Sequence, residues 1–185
     1  ALANNTTGSF NVANGSFALF ANTTGSNNVA SGYQSLNANI GGQQNTANGY
    51  QALFSNTAGT SNTASGFQSL FSNNVGLINS GYGINSLYAN TSGSGNVAAG
   101  YQSGRSNTTG NNNSYFGYNA GYTDGTITTG ATLTNATAIG YNSQVTQSNS
   151  LILGGTGAFG VNVGIGTTSP YARLSVVGQT LSDSF

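Results

Sequence analysis

One period, 17, limits what this chain can fold into more than anything else in it. Residues 45–61 read NTANGYQALFSNTAGTS and residues 62–78 read NTASGFQSLFSNNVGLI, nearly the same line twice. Glycine recurs on that spacing at Gly15, Gly32, Gly49, Gly66, Gly83, Gly100 and Gly117, and again from Gly8 and Gly25 through Gly110. Leucine does so at Leu19, Leu36, Leu53, Leu70 and Leu87. Asparagine fills one slot at Asn22, Asn39, Asn56, Asn73, Asn90 and Asn107, and a second at Asn28, Asn45, Asn62, Asn79, Asn96 and Asn113. A fixed short period marks stacked units, each of which buries its apolar side only against its neighbours. A disordered tract of similar composition has no reason to hold Leu and Gly in phase.

Each unit carries two apolar patches. The first is Val12-Ala13, Val29-Ala30, Thr46-Ala47, Thr63-Ala64 and Val97-Ala98, and the second runs over Tyr33 to Leu36, Tyr50 to Phe54, Phe67 to Phe71 and Ile84 to Tyr88. The unit is too short for a helical pair and the chain has no Glu or Lys for helix faces, so two short strands per unit are expected. Between them lie Asn-Thr-Thr-Gly at 22, Asn-Thr-Ala-Gly at 56 and Asn-Thr-Ser-Gly at 90, residues that tolerate the left-handed dihedrals of tight turns. Stacking in parallel at about 4.8 Å per coil then gives an all-β fold, a parallel β-roll or β-solenoid with an interior of Leu, Val and Ala. The two asparagine slots become structural ladders along the stack, because an amide both donates and accepts; plain turn preference accounts for them equally well.

About seven such coils fill residues 1–121. Gly140 follows Gly117 by 23 (140 − 117) where the period would give 17, which places an insertion loop over 122–137. Ala138-Ile139-Gly140 and Leu151-Ile152-Leu153-Gly154 imply shorter coils over 138–167, and ARLSVVG at 172–178 reads as a terminal strand within a junction segment, 168–185. The opening ALANNTT, without Met or a signal sequence, reads as a processed product or a fragment.

Composition excludes function classes. Arg105, Arg173, Asp124 and Asp183 are the only charged residues, and His, Cys, Met, Trp, Lys and Glu are absent. Groups that exchange protons near neutral pH, or that activate a serine, are therefore missing, and no catalytic residue and no cofactor is expected. Zinc and other soft metals lack their ligands. Asp124 beside Gly125 is read as a turn residue rather than a calcium ligand. Two distant arginines offer nucleic acid no basic cluster, and no apolar run is long enough to span a membrane. The aromatic slot at Tyr33, Tyr50, Phe67, Tyr101 and Tyr118 holds more apolar surface than a thin coil can cover, which points to packing against copies of the chain, with three-fold closure an economical form. Open solenoid ends add end-to-end filaments as a second mode of association.

The unit NTANGYQALFSNTAGTS resembles the repeats of trimeric β-roll fibres, the heads of trimeric autotransporter adhesins and the related shafts of phage-type tail fibres, over residues 5 to 167. NATAIGYNSQV at 135–145 and NSLILGG at 149–155 are similar to the shorter head-type coils of that group, and VGIGTTSPYARLSVVG at 163–178 resembles the segment that precedes a C-terminal self-cleaving chaperone domain. The resemblance implies a homotrimer at a cell surface or on a virion, extracellular, serving reach and attachment to a receptor or glycan. It supplies no catalytic residue. The competing expectation is an ice-binding solenoid, since Thr23, Thr57, Thr91 and Thr108 align in a column that Ile40 and Asn74 interrupt. Asn-x-Thr triplets such as Asn22 to Thr24 would be glycosylation acceptors in a eukaryotic secretory route.

Overall fold

The structure, a computed structural model, describes residues 1–123, 131–155, 160–165 and 167–176. Among these residues every strand is three residues long and there is no α-helix. Strands β1 (Val12–Asn14), β2 (Val29–Ser31), β3 (Thr46–Asn48), β4 (Thr63–Ser65), β5 (Ser80–Tyr82), β6 (Val97–Ala99) and β7 (Ser114–Phe116) begin at equal intervals, once per sequence repeat. With β8 (Thr137–Ile139) and β9 (Leu151–Leu153) they form one sheet of nine strands in chain order. All neighbours are parallel, and Ala30 lies opposite Ala13 and Ala47 as the period requires. The chain is therefore a β-solenoid in which each residue sits over its counterpart one coil away.

Beyond β7 the step changes. Tyr115 pairs with Ala138 and Ala138 with Ile152, so the step lengthens to 23 (138 − 115) and then shortens to 14 (152 − 138). Residues 124–130, in the middle of the expected insertion and including Asp124, lie outside the described residues, as do 177–185 with Asp183. Strands β10 (Val163–Ile165) and β11 (Leu174–Val176) pair in parallel as a separate two-stranded sheet.

Two expectations need correction. The second apolar patch of each coil is a turn and not a strand. In a strand successive side chains point to opposite faces, yet Ser35 and Leu36 are both fully buried, as are Ala52 and Leu53. The backbone manages this with left-handed residues two apart, Gln34 at φ 55° and Leu36 at φ 49°, repeated at Gln51 and Leu53 and at Gln68 and Leu70. Non-glycine residues rarely adopt that region, and here coil-to-coil hydrogen bonds hold them in it. The Gln34 N–H donates to the Ser16 carbonyl of the coil before (2.9 Å), and the Leu36 N–H to the Ala52 carbonyl of the coil after (3.0 Å).

The second correction concerns the core. It holds Leu and Ala, but Val12 and Val29 face outward from the first position of their strands. Only the middle residue of each strand, Ala30, Ala47, Ala64 or Ala98, points in. Buried Ser35, Ser69, Ser86 and Ser103 and the asparagines fill the rest. One coil breaks the rule in a compensated way. Tyr115 takes the alanine slot and is buried, while Gly104 and Gly121 take the leucine slot above and below it. Burial pushes the Tyr115 phenol well above its ordinary range.

Candidate functional site, amide ladders and aromatic columns

Both asparagine slots are buried, and the coil winding places them on two separate columns. In the first, the Asn39 side-chain amide donates to Asn22 Oδ1 (2.7 Å), Asn56 to Asn39 (2.9 Å), Asn73 to Asn56 (2.9 Å), Asn90 to Asn73 (2.8 Å) and Asn107 to Asn90 (2.8 Å). Asn22 begins it by donating to Asn5 Oδ1 (2.7 Å). The other proton of each amide goes to the glycine carbonyl three residues on, as from Asn56 to Gly59 (3.0 Å). Every hydrogen-bonding valency that matters at this bend is thus used inside the coil stack.

The second column works differently. Asn28 Oδ1 accepts the backbone N–H of Asn45 (2.9 Å), Asn45 that of Asn62 (3.0 Å), Asn62 that of Asn79 (2.9 Å), Asn79 that of Asn96 (3.0 Å) and Asn96 that of Asn113 (3.0 Å). One amide proton goes to a glycine carbonyl of the next coil, Asn28 to Gly42 and Asn45 to Gly59, both at 2.8 Å, and Asn45, Asn62 and Asn96 also donate to the Oδ1 of the asparagine one coil before (3.2, 3.2 and 3.1 Å). Here a side chain replaces the peptide carbonyl that a strand neighbour would have offered, at the corner just before each strand. Across the longer step after β7 the pattern survives, since Asn113 Oδ1 accepts the Ala136 N–H (2.8 Å).

The first ladder gives a prediction with a pH dependence. Asn56→Asp removes the donors that serve Asn39 Oδ1 and the Gly59 carbonyl. The buried carboxyl will hold its proton more tightly folded than unfolded, so stability falls as pH rises past about 4. Urea unfolding should show a loss of about 3 kcal/mol or more at pH 7 and a smaller loss at pH 3.5; equal losses at both pH values would mean that this amide is not buried in a ladder.

Outside, side chains also stack in columns. Tyr33, Tyr50 and Phe67 lie with ring centroids 5.5 and 5.0 Å apart, and Tyr101, Tyr118 and Tyr141 continue at 4.8 and 5.4 Å. Beside them runs a glutamine ladder, Gln68 donating to Gln51 and Gln51 to Gln34, each at 2.8 Å. Asn85 and Asn119 stand in that glutamine slot one methylene short, and the Oδ1 of each is buried without a partner. On its far side a third column stacks Phe54, Phe71 and Tyr88 at 5.1 Å intervals. Arg105 extends it, its guanidinium carbon 5.4 Å from the Tyr88 and Tyr122 ring centroids, a cation held between two π faces.

The threonine column is occupied with turn chemistry. Thr23 Oγ donates to the Ile40 carbonyl (3.2 Å), Thr91 to Thr108 (3.1 Å) and Thr108 to Ala131 (2.9 Å), while Thr57 donates to the Asn74 side chain. Asn22, the candidate glycosylation acceptor, is buried in its ladder. Among the described residues no three His, Cys, Asp or Glu side chains gather as a metal site, and no helix is long and apolar enough to cross a membrane. Sequence reasoning missed the glutamine ladder, although Gln34, Gln51, Gln68 and Gln102 repeat on the same period as the asparagines. Compared with family models, curated proteins and solved structures, the chain matches none, so what it does must be argued from its own residues.

Proposed function

We propose that this chain is a structural fibre segment, a rod that associates with copies of itself, in the three-fold form that the sequence resemblance implies. In this reading it works outside a cell or on a virion, as the shaft of an adhesin or tail fibre, and its turns meet a surface receptor or glycan. One observation carries most of the weight: the interior is spent on uncharged amide ladders that tie coil to coil, while aromatic columns run in register along the outside. An inside built this way transmits length and stiffness and leaves no group for chemistry. Outward aromatic columns favour contact between chains. The stacked rings cover one another's faces, which leaves their edges rather than their faces to any sugar. The ice-binding alternative draws no support from the threonine column, whose hydroxyl protons go to the next coil. Sedimentation velocity at micromolar concentration should return an elongated oligomer, and a compact monomer would overturn the proposal.

A further inference from the structure

One outward position of the strand face changes its chemistry along the length of the sheet. The third residue of every strand of the nine-stranded sheet points outward from the same backbone position. In β1 to β4 it is Asn14, Ser31, Asn48 and Ser65; in β5 to β9 it is Tyr82, Ala99, Phe116, Ile139 and Leu153. The geometry of the slot is constant and the register of the sheet is unbroken, so folding does not require the change. Tyr82 is 47% exposed, Phe116 and Ile139 40% and Leu153 41%. One residue beyond the glycine corner, Ile84, Tyr101, Tyr118 and Tyr141 continue the exposed column that Tyr33, Tyr50 and Phe67 begin, so the β5–β9 half presents two apolar columns where β1–β4 presents that one beside exposed Val12 and Val29. Two apolar columns, the first over five rungs and the second over four, at about 4.8 Å per rung make a stripe roughly 20 Å long, on the order of 400 Å², a size of patch that often serves a contact.

We propose that the β5–β9 half of the strand face is where one copy of this chain meets another, and that the polar third-position residues of β1–β4 stay in water. The inference rests on the self-association proposed above and adds its location. Three features select a second copy as the occupant. Rows of side chains repeating at strand spacing interdigitate best with rows of the same spacing, which an identical sheet supplies by construction. Neither column carries a charged side chain, so like faces like without repulsion. The stripe also has the area of a hydrophobic interface core, which the polar residues around it complete as a rim.

The test uses the fold's own precedent. Phe116→Asn and Ile139→Asn install a side chain that β1 and β3 already carry in this slot, so the solenoid should persist, as circular dichroism will verify. Asn48→Lys together with Ser31→Lys places charge on the other half. Sedimentation equilibrium should show the Phe116→Asn/Ile139→Asn variant dissociating at concentrations roughly 100-fold higher than the parent chain, from the apolar area removed, with the lysine variant unchanged. An oligomeric parent whose assembly survives the asparagine changes, or is lost equally with the lysine changes, overturns the location while self-association stands. A monomeric parent overturns both.

Discussion

Gly66→Ala is expected to destabilise the solenoid by on the order of 3 kcal/mol or more, with a matching fall in melting temperature by circular dichroism. A Cβ there would lie 2.5 Å from the Gly83 carbonyl oxygen and 2.6 Å from its carbon, and Gly66 has φ +140°, a region that L side chains avoid. The obstructing atoms are backbone, so no side chain can swing aside. Gly83 is packed against the Gly100 backbone in the same way, an added Cβ there lying 2.6 Å from the Gly100 carbonyl oxygen, so it has little room to shift toward that coil. The clash therefore passes up the stack, and nearest-neighbour coupling between coils makes one wedge felt in several. Ser65→Ala, one residue earlier on the outward face, should change stability by less than about 0.5 kcal/mol. Similar losses in the two variants would mean that the glycine column is not in backbone contact.

The second large effect is a substitution that fails alone and succeeds in company. Gly121→Leu drives a side chain into the Tyr115 ring, whose Cδ1 lies against the position of the missing Cβ; at Gly104 the Cβ would be 2.5 Å from Tyr115 Cδ2 and 2.9 Å from Leu87 Cδ2. Tyr115→Ala alone leaves a cavity and should cost about 3 to 5 kcal/mol. Gly121→Leu alone should cost at least as much through overpacking and strain, for neighbouring coils fix the available volume. The triple variant Tyr115→Ala, Gly104→Leu and Gly121→Leu restores the alanine and leucine of the regular coils, and should recover most of the loss in urea unfolding. Leucine tolerates this backbone, as Leu70 and Leu87 show at φ 52° and 50°. Additive losses across the three changes would refute the compensation, since residues sharing one volume must couple.

The coil stack was legible because the period is strict and one-dimensional: once each residue lies over its counterpart in the next repeat, pairing, parallel direction and the asparagine columns follow. What happens within a coil was less legible. Val12-Ala13 and Val29-Ala30 look like paired core residues, but a strand of three residues sends only its middle side chain inward, so alanine is core and valine is surface. The adjacent Ser35-Leu36 and Ala52-Leu53 already break the two-residue alternation of a strand, a signal outweighed by their apolar character. Leaving Leu36 in a left-handed conformation runs against its preference, and it is held there by its own N–H bond to the coil after and by the Gln34 N–H bond to the coil before. Gly104 and Gly121 interrupt the leucine slot in the sequence itself, yet their reason lies in Tyr115, which is adjacent only after the coil closes. The polar-to-apolar change from Ser65 to Tyr82 was equally visible as letters. It becomes surface chemistry only when the third strand position is known to face out.

Distances between spin labels test the stacking most directly, and a chain without cysteine accepts labels only where they are introduced. Thr24, Ser92 and Thr109 are exposed and occupy one turn slot, four and five coils apart ((92 − 24)/17 and (109 − 24)/17). With labelled chain diluted in unlabelled chain, the pair Thr24→Cys/Ser92→Cys should give a distance of about 19 Å and Thr24→Cys/Thr109→Cys one of about 24 Å, one strand spacing longer. Broad distributions, or a second distance no longer than the first, would contradict a stack of in-register coils.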